Sequence, residues 1–167
     1  MNTSSHTTKL ASTFVALILG VTLATAGPLK EGDTFPDLAK FGLEGTLPDL
    51  KGKVVLVDFF ASWCGPCKES FPAMDALQKK YSDKGFVVLA INLDKKKADM
   101  DDFVAKHAVS FAIVRDASHK LVGEIKIPTM PSSFLLDKDG KVQSAHRGFK
   151  GEESVKKYSQ EIEKLLK

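Results

Sequence analysis

Residues 53–60, KVVLVDFF, carry an apolar or β-branched side chain at almost every position, with a single acid, Asp58, in their midst. Neighbouring side chains of a strand point to opposite faces, so such a run cannot leave one face in water. It asks for a central strand covered on both sides, which places the chain among α/β sheets rather than sandwiches or bundles. Four residues after the run ends come Cys64, Gly65, Pro66 and Cys67, and these two cysteines are the only ones in 167 residues.

The rest of the chain fits around that strand. Phe71, Met74, Leu77 and Tyr81 recur at helical spacing after Pro66, whose missing N–H costs nothing in a first helical turn. A second buried strand is predicted over 86–93, a helix over 98–108, a strand over 111–114 and a helix over 117–125. Residues 132–148 read as a hairpin turning at Asp139 and Gly140. A last helix over 152–166 aligns Val155, Tyr158, Ile162 and Leu165. Residues 27–52, rich in Gly, Pro and Asp, predict loops with one or two short edge strands. The order β-α-β-α-β-α-β-β-α describes one α/β domain with a central mixed β-sheet flanked by helices.

Residues 1–26 differ in kind. They hold no acid, one lysine (Lys9), an apolar segment from Phe14 to Leu23, and then Ala24-Thr25-Ala26 before Gly27. Ten apolar residues fall short of the roughly 20 that span a bilayer, and the A-x-A pattern suits signal peptidase. The expectation is a signal peptide over 1–26, with an uncleaved anchor as the alternative, and a single domain over 27–167 outside the cytoplasm, in the periplasm. The formal net charge of +3 is small and interleaved, which argues against nucleic acid as a partner.

For the cysteines, three chemistries compete. A disulfide closing so short a loop gains little chain entropy, which disfavours a structural staple. A structural zinc wants four ligands, and His107, His119 and His146 show no paired spacing. A redox couple has physical support. Cys64 falls where a buried strand hands over to a helix, and the orphan N–H groups and positive dipole end there favour a thiolate. Cys64 is then the attacking nucleophile, and Cys67, one turn in and more buried, resolves the mixed disulfide. Asp58, surrounded by apolar neighbours, is expected to have a raised pKa and to take the proton of Cys67.

These residues also carry a resemblance. VLVDFFASWCGPCK resembles thioredoxin, and GKVVLVDFFASWCGPCKESFP with IPTMPSSFLLDKDG resembles the TlpA/ResA branch of secreted thioredoxin-like proteins, over roughly residues 30–166. The resemblance implies a thioredoxin fold with an N-terminal extension and a strand–helix unit inserted between about 94 and 126. It implies a cis Pro131 packed beside the cysteines, exposing the backbone of the preceding Met130 to a substrate strand. Trp63, Gly65, Pro66 and Met130 are then the substrate-binding surface, with Cys64, Cys67, Asp58 and Pro131 as the catalytic set. It further implies a thiol-disulfide oxidoreductase that reduces client disulfides, such as those of apocytochrome c or other secreted enzymes, with electrons from a membrane thiol carrier. No cofactor beyond the disulfide, no metal and a monomeric state are expected. The chain departs from the pattern at Ser70, where that branch often has Glu, at Asp58, where it commonly has Asn, and at about Ala90, where thioredoxin has Lys. Glu69, one position before Ser70, is given no catalytic role.

Two other functions stay open at the level of sequence. Secreted thioredoxin-fold copper chaperones use two cysteines and a distant histidine, for which His146, expected on an exposed hairpin strand, is the candidate. A thiol peroxidase is the other, because GDTFPDL (32–38) resembles peroxiredoxins.

Overall fold

A computed structural model describes Met1 and residues 27–167; the expected signal peptide lies outside the described residues. The elements in chain order are β1 (Val54–Phe60), α1 (Gly65–Tyr81), β2 (Phe86–Asn92), α2 (Lys97–Lys106), β3 (Ala112–Arg115), α3 (Lys120–Ile125), β4 (Ser132–Leu136), β5 (Val142–Arg147) and α4 (Glu152–Leu165). The five strands form one sheet in the order β3-β2-β1-β4-β5. β1 pairs parallel with β2, and β2 with β3. β4 runs antiparallel to β1 and to β5. The apolar run of the opening strand thus lies at the centre of the sheet, and all seven of its residues are buried.

Strand alternation sorts the core into two layers. Val54, Leu56 and Phe60 face a layer holding Phe71, Met74 and Leu77 of α1, Phe103 of α2 and Tyr158 and Ile162 of α4. Val55, Val57 and Phe59 face Leu121 and Ile125 of α3 together with Phe35 and Leu38 of the N-terminal segment. In the first layer Phe60 and Phe71 meet edge to face at 4.7 Å between ring centroids, with Phe103 5.3 Å from Phe60. Asp58 shares its parity with Leu56 and Phe60, which puts it in the layer that also contains Cys64 and Cys67.

The N-terminal segment departs from expectation. In place of edge strands it forms a short 3₁₀ turn, Leu38–Lys40, and two isolated bridges, Thr34 to Lys141 and Glu44 to Arg115. Pro36 and Pro48 withhold donors that a ladder needs. Gly45, at φ +114°, lies so close to the chain that a Cβ would come within 3.1 Å of the Ile113 carbonyl oxygen. The segment is held by backbone hydrogen bonds to Ile125, Gly140 and Val142 and by Arg115, whose side chain is 9% exposed. Its Nε and Nη2 donate to Glu44 Oε2 at 2.9 and 2.7 Å, and its Nη1 donates to the carbonyls of Asp94 and Lys95. Arg115→Ala removes all four bonds and strands two carbonyls, so we expect a loss of about 2 kcal/mol, read as a lower urea midpoint with unchanged slope.

The unit between 94 and 126 is α2–β3–α3, with its strand added at the edge of the sheet. The hairpin turn spans 137–141, where the Asp137 carboxylate accepts from the N–H groups of Asp139 and Lys141. Gly140 there takes φ +77°. Among the described residues no helix is long and apolar enough to cross a membrane.

Candidate active site

Cys64 is the N-cap of α1, with extended backbone (φ −83°, ψ 108°) and with Gly65 and Pro66 opening the helix. Its Sγ accepts a hydrogen bond from the N–H of Cys67 at 3.3 Å, so one of the orphan donors at the helix start is spent on sulfur. Cys64 and Cys67 are joined in a disulfide. Both cysteines are buried, Cys67 completely and Cys64 to within 5%; of the two, Cys64 is the one that lines a cleft beside Trp63.

The turn before the helix is fastened from the neighbouring strand. The Asp94 carboxylate, just past β2, accepts from Ser62 N and Ser62 Oγ at 2.9 Å each. Asn92 Nδ2 donates to the same carboxylate at 2.7 Å. A residue two positions before the disulfide is thereby tied to the end of β2. Trp63, between this anchor and Cys64, is 70% exposed. A cleft of about 540 Å³ opens there, lined by Trp63, Cys64, Gly65 and Pro66 on one side and by Leu93, Ile127 and Met130 among others on the far side. The structure thus brings Trp63, Gly65, Pro66 and Met130 around Cys64.

The Met130–Pro131 peptide bond is cis. Pro131 is buried, and its carbonyl accepts from Gly148 N–H at 2.8 Å. The backbone of Met130 makes no hydrogen bond among the described residues. Ser70, where relatives often place an acid, is buried and returns its hydroxyl to the Cys67 carbonyl at 3.0 Å. Glu69 is exposed.

Asp58 is completely buried. Burial pushes its carboxyl up to about 7, opposed by the Ser133 hydroxyl, which donates to Oδ1 at 2.7 Å. Its other oxygen, Oδ2, has no hydrogen-bond partner among the described residues. The residue registered beside it on β2 is Ala90, so no cation answers it from that strand. On the other side the register pairs Asp58 with Ser133, and Ser133 with His146.

Ser133 and Tyr158 were not recognisable as site residues from sequence; the one clue was a serine inside a buried strand. Ser133 Oγ lies 3.2 Å from Tyr158 OH, and burial pushes that phenol up to about 12.

His146 corrects an expectation. Its side chain is only 8% exposed, because α4 closes over the hairpin and lays the Tyr158 ring edge-on against the imidazole, 4.6 Å between centroids. Its Nε2 bonds Glu161 Oε2 at 2.7 Å, and the same oxygen accepts from Ser144 Oγ. Burial lowers its pKa, with Glu161 pulling the other way. Among the described residues no group of three or more His, Cys, Asp or Glu side chains is placed to hold a metal ion.

The comparisons agree with this geometry. The Redoxin family model matches residues 30–162. The thiol-disulfide oxidoreductase ResA of Bacillus cereus is 35% identical over 137 residues, covering 80% of this chain and 79% of that protein. ResA of Bacillus subtilis is 31% identical, covering 78% of this chain and 74% of that one. Among solved structures, a candidate thiol:disulfide interchange protein DsbE from Chlorobium tepidum superposes with a TM-score of 0.77 at 40% identity, over 83% of this chain and 99% of the other. StoA from Bacillus subtilis gives 0.57 at 28% identity, over 65% and 84%. With a mixed five-stranded sheet, a disulfide at the start of its first helix and these relatives, the chain belongs to the Redoxin family and is a thioredoxin-fold thiol-disulfide oxidoreductase similar to ResA.

Proposed function

We propose that this oxidoreductase works outside the cytoplasm, in the periplasm, as a reductant of disulfides in client proteins. The observation that carries the reading is the unequal pair: Cys64 at the helix start lining an open cleft, and Cys67 fully buried in the core layer on the same side of the sheet as the buried acid Asp58. In the reduced protein the Cys64 thiolate attacks one sulfur of a client disulfide, forming the Cys64–client bond and releasing the other client sulfur as a thiolate that takes a proton from solvent. Cys67 then gives its proton to Asp58, and its thiolate attacks Sγ of Cys64. The client's second thiolate leaves, the Cys64–Cys67 disulfide forms, and two electrons have passed to the client.

Met130 supplies an unpaired backbone edge for an extended client segment, with Pro131 holding it in place beside Cys64. Trp63, Gly65 and Pro66 form the other wall of that contact. The apolar segment Phe14–Leu23 followed by Ala24-Thr25-Ala26 supports export, and a membrane thiol carrier then returns the electrons. Gly65 and Pro66 between the cysteines are the pair found in thioredoxin, whose potential is about −270 mV against about −120 mV for the oxidant DsbA. Equilibration with glutathione buffers is expected to give a potential below about −200 mV. A value above about −150 mV would make the protein an oxidant and end the reductant reading.

A further inference from the structure

Asp58 has two oxygens in unlike surroundings, and the sheet register explains why. Ala90, Asp58, Ser133 and His146 are successive registered neighbours on β2, β1, β4 and β5. α4 lies over the end of this row, with Tyr158 touching both Ser133 and His146. A serine hydroxyl has one proton to donate. When Asp58 is ionised it can only accept, so the Ser133 proton points to Oδ1, and Tyr158 must in turn donate to Ser133 Oγ. The bonds run one way, from Tyr158 through Ser133 to Oδ1, while Oδ2 is left bare.

We infer that Ser133 and Tyr158 are positioning residues for Asp58: their directed hydroxyl pair occupies Oδ1, fixes the carboxylate, and leaves Oδ2 as the oxygen that receives the Cys67 proton. This rests on the reading of Asp58 as the proton acceptor and adds to it which oxygen acts and what holds it. The Cys67 S–H bond breaks, an Oδ2–H bond forms, and the electron pair stays on sulfur for the attack on Cys64. The hydroxyl pair gains and loses no proton in the step; its hydrogen bond favours the ionised carboxylate, opposing burial.

The groups that face Asp58 set the conditions of the test. They are Ser133 from β4, Tyr158 and, beyond it, Glu161 from α4, and His146 from β5 behind Tyr158; Cys67 of α1 lies in the core layer on the same side of the sheet. Ala90 on β2 adds no charge. In the oxidised protein neither sulfur titrates, and carboxyl-¹³C aspartate labelling separates Asp58 from His146.

Ser133→Ala is expected to raise the Asp58 midpoint by roughly 0.5–1 pH unit. Tyr158→Phe should raise it less, because it only weakens the donor, and Ser133→Thr, which keeps the hydroxyl, should restore the parent value. The rising limb of client-disulfide reduction against pH should move by the same amount in each variant. An Asp58 titration unmoved by Ser133→Ala, or a Ser133→Thr variant that titrates like the alanine one, overturns the positioning role. If the titration moves while the rate limb stays, the hydrogen-bond pair does hold Asp58, and Asp58 is rejected as the acceptor of the Cys67 proton.

Discussion

Cys67→Ser is expected to abolish repeated turnover of a client disulfide, by at least about a thousand-fold, while leaving the protein able to seize its client. The attacking sulfur, Cys64, keeps its place at the helix start and its cleft. With no second thiol to complete the exchange, the Cys64–client bond persists and migrates as a heavier, reductant-sensitive band on a non-reducing gel. Cys64→Ser should lose turnover to the same degree and trap almost nothing, because Cys67 is wholly buried. If the Cys64→Ser variant traps clients as well as Cys67→Ser does, the roles of the two sulfurs are reversed. The same gel identifies the clients by mass spectrometry of the trapped band.

Asp58→Asn should change stability in a strongly pH-dependent way. The carboxyl has a pKa near 3.8 in the unfolded chain and about 7 in the folded protein. Between those values the folded state keeps a proton that the unfolded state has lost. Stability from this group is therefore fully present below about pH 4 and is lost as pH rises to about 7. The span corresponds to about 4 kcal/mol. Asparagine carries no such dependence but leaves an amide N–H₂ where Oδ2 had no partner, at a cost of about 1–3 kcal/mol. The variant should be less stable than the parent near pH 4 and more stable at pH 8, with the difference moving by about 4 kcal/mol between them. Urea denaturation of the oxidised forms at both pH values measures it. A difference that is the same at pH 4 and pH 8 would show that Asp58 titrates normally, and with it the proton-acceptor role would fall. In the reduced protein the same variant should resolve mixed disulfides more slowly.

How much of this was legible beforehand depends on how local each feature is. The central strand, the helix beginning at the cysteines and the burial of Asp58 follow from residues within about a dozen positions of one another, where apolar periodicity and the N-terminal proline speak directly. Ser133 lies 75 residues from Asp58, and their meeting depends on the register of β1 against β4, which no local pattern states. Tyr158 was legible as an apolar-face residue of the last helix, but its hydroxyl contact was not. His146 was expected in solvent because the second strand of a hairpin at a sheet edge usually has a wet face. The packing of α4 over that face is a tertiary event, and it reverses the expectation. The N-terminal segment failed as strand for the opposite reason: prolines and positive-φ glycines forbid a ladder even where the chain runs beside the sheet. Its anchoring by Arg115 is again long-range.

The anchoring of Ser62 to Asp94 and the sealing of Cys67 have a shared consequence for traffic. Of the two sulfurs' residues only Cys64 lines the cleft, and the loop bearing it is tied to the sheet, so exchange is directed to one sulfur. On the proposed reading, a client that takes electrons and a donor that supplies them would meet the same sulfur, one after the other. As such a reductant the protein would be a shuttle that alternates between hosts, its throughput set by how quickly each visitor vacates the threshold.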